Sequence, residues 1–134
     1  MTDKELYLEA IKAMEHAYVP ISHFTVGAAL LTEEGEVYTG CNIENSTLGA
    51  TICAERTACA KAVSEGKKNF KAIAVVCSEG KVTPCGICRQ FLFEFAPSLR
   101  VITGDDEDNL VEYTLDQLLP VGFRLSDAGM SLGL

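Results

Sequence analysis

Residues 71–95 read KAIAVVCSEGKVTPCGICRQFLFEF, and this stretch decides the architecture. Its first seven residues, KAIAVVC, form a continuous apolar run, the pattern of a strand covered on both faces. Such a strand needs helices on either side, which makes it the middle of a layered α/β structure. Behind it, Thr83 is a good N-cap and Pro84 suits the first helical position, so a helix is expected through Phe95, stopping before Pro97. A strand at residues 99–103 can then run parallel to the first, because a helix joins the two.

The flanking sequence fills in the remaining elements. Thr2 with Glu5 three residues on makes a capping box, and Leu6, Ala10, Ala13, Met14 and Ala17 fall on one helical face, with Pro20 as the stop. Residues 26–31 read as a short buried strand, Glu34-Gly35 as a turn, and 36–44 as the returning strand of a hairpin. Residues 53–65 form a helix with Ala54, Ala58 and Ala62 on one face and Gly66 as its end. A weaker strand at 110–113 and a short helix at 114–119 complete the order α-β-β-α-β-α-β-β-α. The expected fold is a three-layer α/β/α sandwich around a mixed sheet.

The chain has 134 residues, which fits one domain spanning 1–134. With 48% hydrophobic and 22% charged residues it can bury a core, which excludes wholesale disorder. Lys+Arg 11 against Asp+Glu 19 gives a net charge of −8, which argues against a nucleic-acid partner, since phosphate backbones are gripped by basic patches. No apolar run approaches the roughly 18–20 residues that span a bilayer, and MTDKELYLEA lacks the features of a secretory signal. No membrane partner and a cytoplasmic location are therefore expected.

Six cysteines stand at 41, 53, 59, 77, 85 and 88. An even count is compatible with three disulfides, but a reducing compartment turns attention to metal or redox chemistry. Cys53, Cys85 and Cys88 fall at expected helix N-termini, whose free N–H groups and positive dipole end favour the thiolate, the form that binds zinc. Three thiolates leave one tetrahedral position open, as a catalytic zinc site does; a structural site fills all four. His23 lies beside a strand and is the alternative fourth ligand, although no His/Cys spacing supports it. C-G-x-C alone also describes a thioredoxin-like redox pair. Cys41, Cys59 and Cys77 lack ligand spacing and read as small buried apolar residues. Glu55, two positions after Cys53, can point at the open metal position and move a proton there; on its own it would merely favour the helix N-terminus.

C-A-E followed by P-C-x-x-C resembles the zinc deaminase signature, with Cys where other members use His. FTVGAAL at 24–30, GCNIEN at 40–45, CAERTA at 53–58, PCGICRQ at 84–90 and LLP at 118–120 together resemble cytidine deaminases of the short homotetrameric type. The resemblance implies a five-stranded mixed sheet and one Zn²⁺ per subunit on Cys53, Cys85 and Cys88, with Glu55 as proton shuttle. It further implies that Asn42 and Glu44 grip ribose hydroxyls, Phe24 packs on the pyrimidine, and the Ala54 N–H donates to the base carbonyl. Arg56 would withdraw charge from the thiolates, and Phe123 would reach a neighbouring subunit's site in a homotetramer with shared active sites. Taken singly, Asn42 and Glu44 describe a solvated strand end, Phe24 a core residue and Arg56 a helix-surface arginine. One departure concerns Ser46, Thr47 and Leu48, where the family often has an aromatic residue; Leu48 can still cover the pocket by apolar contact.

The implied activity is hydrolytic deamination of cytidine and 2′-deoxycytidine to the uridine products, with a nucleoside as the small-molecule partner. A deaminase of a modified cytosine nucleoside (blasticidin S-like) and a noncatalytic zinc-stabilised binding protein are the alternatives.

Overall fold

A computed structural model describes residues 1–130 of the chain. Along it run α1 (Asp3–Met14), β1 (Val26–Thr32), β2 (Val37–Cys41), α2 (Ala54–Ser64), β3 (Phe70–Cys77), α3 (Gly86–Phe93), β4 (Arg100–Gly104), β5 (Leu110–Thr114) and α4 (Leu115–Leu118). The order expected from sequence is the order observed. The sheet runs β2-β1-β3-β4-β5, with β3 and β4 parallel and every other neighbouring pair antiparallel.

The central strand behaves as its apolar run predicts, with only Lys71 exposed along its length. Side chains alternate between two cores, as the two-residue strand period requires. Ile73 and Val75 join Ala28, Leu30 and Val101 on one face, beneath α2 and α3. Ala72, Ala74 and Val76 join Ala29, Leu31 and Ile102 on the other, beneath Leu6, Tyr7 and Ala10 of α1. The result is the three-layer α/β/α sandwich.

Two glycines set how closely the helices approach. A Cβ at Gly40 in β2 would lie 2.5 Å from both the Ala54 carbonyl oxygen and the Ala58 nitrogen, so the main chain of α2 rests directly on the strand. A Cβ at Gly27 in β1 would meet the Ala10 carbonyl oxygen at 2.0 Å, which gives α1 the same close seat on the opposite face. Ala54, Ala58 and Ala62 are all fully buried, as small residues must be in such a tight layer.

Several element ends differ from expectation. α1 stops at Met14 with Glu15 as C-cap, well before Pro20, because the chain must turn out for Tyr18 to pair with the segment after β2. The Tyr18 N–H donates to the Asn42 carbonyl (3.0 Å) and the Glu44 N–H to the Tyr18 carbonyl (2.8 Å). β2 ends at Cys41 for the same reason, since residues 42–44 leave the hairpin to bridge Tyr18 and Ile52. α3 starts at Gly86 with Cys85 as N-cap, not at Pro84 after Thr83. Arg89 holds both residues outside the helix, donating to the Thr83 hydroxyl (3.2 Å) and the Pro84 carbonyl (2.7 Å). α3 ends at Phe93. Of the C-terminal segment 125–134, Leu125–Ala128 form a short 3-10 turn, and residues 131–134 lie outside the described residues. No described helix is long and apolar enough to cross a membrane.

The seat of α2 on Gly40 is testable. Gly40→Ala should lose about 2–3 kcal/mol of stability by overpacking, read from the urea midpoint at constant slope. Gly49→Ala, where a Cβ meets nothing within 4 Å, should stay near wild type; equal midpoints for the two variants would contradict the close approach.

Candidate active site

Cys53 and Cys85 occupy the N-cap positions of α2 and α3, both in extended conformation, and neither side chain caps its helix. A serine or aspartate there would turn its oxygen back onto the first-turn N–H groups. These sulfurs instead face each other, with Sγ atoms 3.7 Å apart. Cys88, fully buried in the first turn of α3, completes a cluster whose three Sγ atoms lie within 4.8 Å of one another. All six cysteines are free, so the disulfide alternative falls away. Among the described residues no histidine joins the cluster, and His23 does not close it. Cys59 and Cys77 are buried as expected, whereas Cys41 is half-buried at the end of β2. Burial alone pushes the Cys59 thiol up to about 12, which suits an inert packing residue.

The electrostatics divide the three sulfurs. A hydrogen bond from Cys88 is the largest influence lowering Cys53 to about 5, and Arg56 adds to it. The same bond and burial hold the Cys88 thiol above its usual range. Arg56 is half-buried, with Nη2 3.7 Å from Cys53 Sγ and 3.5 Å from the Thr51 carbonyl, while its buried Nε has no partner. A helix-surface arginine would extend into water; this one lies against the sulfurs with a donor still unspent. The donor set fits Zn²⁺: three gathered thiols at two helix N-termini, one already poised as thiolate, and a guanidinium to take up excess negative charge.

Glu55, one residue into α2, is 4% exposed. Burial first, and then the Cys53 charge, raise its carboxyl to about 7. A cavity of about 420 Å³ opens beside it, lined by Phe24, Asn42, Glu44, Cys53, Glu55 and Cys85 among others. Sequence reasoning names each of these six. Ala54 is buried at the first position of α2, where an N–H has no intrahelical acceptor, and it is not among the residues lining the cavity.

Asn42 is tied to the neighbouring chain at both ends of its amide. Its Oδ1 accepts from the Val26 N–H (2.9 Å) and its Nδ2 donates to the Phe24 carbonyl (2.8 Å). One donor and one acceptor position remain for a ligand. Glu44 Oε1 accepts from the Ile21 N–H (2.8 Å) and the Ser22 N–H (3.1 Å), and Oε2 accepts from the Ser22 hydroxyl. The Ser22 hydroxyl is the main cause holding this carboxyl below the usual carboxylate range. Phe123 is not part of this chain's cavity: its ring is exposed, and its carbonyl accepts from Gln90 Nε2 (3.0 Å). Leu48 stands 71% exposed on a 3-10 turn, away from the cavity it was expected to cover.

Sequence reasoning missed Ser22, Val26, Val82 and Thr83 in the cavity wall. It also left Arg89 unassigned. That side chain reaches the Thr83 hydroxyl, the Pro84 carbonyl and the Leu118 carbonyl (2.7 Å), bracing the loop that carries Cys85. The Ser22–Glu44 contact spans 22 residues and the Arg89–Leu118 contact 29, so neither leaves a local pattern to find.

Residues 1–104 match the family model described as the cytidine and deoxycytidylate deaminase zinc-binding region. The chain belongs to this deaminase family. The cytidine deaminase of Sporosarcina psychrophila is 51% identical over 129 residues, covering 95% of each chain. That of Halalkalibacterium halodurans is 48% identical over 95% of this chain and 98% of its own. The crystal structure of cytidine deaminase from Burkholderia pseudomallei aligns with a TM-score of 0.86 at 42% identity, over 92% of this chain and 100% of the other. Family membership agrees with a cluster of three cysteines able to hold a metal ion.

The buried acid has a measurable signature in the metal-free protein. Unfolded Glu55 ionises near 4.5 and folded Glu55 at about 7, so between them the folded chain binds more protons and stability falls as pH rises. Glu55→Gln should therefore stabilise the metal-free protein at pH 8, on the order of 2–3 kcal/mol, and change little below about pH 4.5. Urea unfolding across that range checks it; a pH-independent difference would contradict the buried, elevated carboxyl.

Proposed function

We propose that residues 1–134 form one zinc-dependent deaminase unit that converts cytidine and 2′-deoxycytidine to uridine and 2′-deoxyuridine with release of ammonia, in pyrimidine salvage. The observation that carries this is a buried acid of raised pKa adjoining three gathered cysteines, in a cavity that also presents an aromatic ring, an amide and a second carboxylate.

Each chain would hold one ion on Cys53, Cys85 and Cys88. Bound there, zinc supplies a water acidic enough to react at neutral pH. Glu55 takes a proton from the attacking water and places it on N3 of the base; it then takes the second proton, from the new C4 hydroxyl, and delivers it to the amine as the C4–N bond breaks and the C4 carbonyl forms. Its elevated pKa suits both duties, because a group that ionises near the working pH accepts and donates with little penalty. Phe24 offers a flat apolar face to the pyrimidine, and the Ala54 N–H a donor to the base carbonyl. Arg56 spreads the charge of the sulfur ligands and so helps keep the attacking water acidic.

The sugar arithmetic supports both substrates. Asn42 and Glu44 together retain enough hydrogen-bonding capacity to bracket one hydroxyl, and ribose and deoxyribose share all hydroxyls but one. The similarity to the cytidine deaminases of Sporosarcina psychrophila and Halalkalibacterium halodurans supports cytidine as a substrate. Exposed Ile87 and Phe91 on α3 and exposed Phe123 beyond α4 support a homotetramer in which Phe123 enters a neighbour's site. A cytoplasmic location fits a chain with six free thiols.

Ammonia release from cytidine should be abolished by a chelator and restored by Zn²⁺. Glu55→Gln should keep its metal while kcat falls about 10³-fold. Activity that survives complete metal removal, or wild-type kcat in metal-loaded Glu55→Gln, would overturn the mechanism.

A further inference from the structure

Ser22 is exposed on the loop between α1 and β1, and no chemistry above uses it, yet its hydroxyl joins two sides of the cavity. It donates to Glu44 Oε2, and its oxygen accepts from the Phe24 N–H at 3.1 Å. The Ser22 N–H and the Ile21 N–H take the other carboxylate oxygen. A carboxylate has about four acceptor positions, so these three bonds leave Glu44 roughly one, on a group whose rotation is fixed at both oxygens. The adjoining His23 is held at φ 58, a conformation seldom adopted outside glycine, with its N–H bonded to the Val19 carbonyl at 3.0 Å. Three hydrogen bonds thus tie this loop to the Glu44 carboxylate.

We infer that Ser22 is a positioning residue of the nucleoside site: its hydroxyl fixes the Glu44 carboxylate to read one sugar hydroxyl, and in the same bond network fixes the main chain of Phe24 beneath the base. This rests on the nucleoside reading above and adds to it the group that sets sugar recognition. Without the hydroxyl, Glu44 keeps its two main-chain donors on Oε1, but Oε2 is released to rotate or to recruit water. Phe24 also loses the acceptor for its N–H. The chemistry at Glu55 is untouched, so the cost falls on binding.

The test compares wild type, Ser22→Ala and Ser22→Thr on cytidine and on its 2′-deoxy, 3′-deoxy and 5′-deoxy analogues. Wild type should discriminate strongly against one hydroxyl deletion, and Glu44→Gln should largely erase that discrimination. Ser22→Ala should raise KM for cytidine about tenfold with kcat nearly unchanged, the loss expected for one hydrogen bond to a charged group. It should also shrink the penalty for that same deletion, and Ser22→Thr, which keeps the hydroxyl, should restore both. If Ser22→Ala instead lowers kcat/KM equally on all four substrates, or leaves the deletion penalty at its wild-type value, the positioning role is wrong while the nucleoside reading stands. If wild type releases no ammonia from cytidine, or Glu44→Gln leaves every deletion penalty in place, the underlying reading fails and the inference with it.

Discussion

Two helices begin at one point, and each begins with a cysteine whose sulfur turns away from its own helix. This arrangement governs the molecule. The N-termini of α2 and α3 each carry unpaired N–H groups and the positive end of a helix dipole, equivalent to about half a unit charge. Together with Arg56 they make a setting that favours the thiolate at Cys53 with two further sulfurs close by. The rest of the fold serves that convergence. Gly40 lets the main chain of α2 rest on β2, the parallel β3–α3–β4 crossover brings α3 alongside, and Arg89 braces the loop entering α3. α1 closes the far face of the sheet and contributes nothing to the cavity wall.

The two carboxylates of the cavity show how one small space sustains opposite proton affinities. Glu55 is walled off from water beside a sulfur anion, so its charged form is disfavoured. Glu44 is half-buried but accepts from two main-chain N–H groups and a hydroxyl, so its charged form is favoured. One group is set to exchange a proton and the other to stay an acceptor, and environment alone makes the difference.

Local signals carried most of this architecture in the sequence. KAIAVVC announces the doubly covered strand, Thr2 and Glu5 the first helix, and the alanine spacing of α2 its buried face, because each is a property of a few adjacent residues. The cysteine spacing and the nearby acid were legible for the same reason. What local propensity misplaced was decided by specific side-chain and main-chain partners. Thr83 and Pro84 are good helix starters, yet Arg89 holds both outside the helix. The first helix yields early because Tyr18 pairs with the strand exit across the chain. Ser22 and Arg89 carried no motif of their own; their importance exists only once the loops they touch have been brought together. Asn42 and Glu44 were found by resemblance, but their double use, bracing the loop as well as facing the cavity, came only from geometry.

The cysteine cluster unites a residue on one helix with a pair on another, 32 positions later. Of the three, only Cys85 and Cys88 are neighbours in the unfolded chain, so they alone form a local two-sulfur chelate there. The third donor arrives with the tertiary structure. An ion held by all three would therefore favour native over denatured chain, and by mass action each rise in free metal would deepen the native well. Metal supply would then be a term in how long this polypeptide survives, separate from how fast it works.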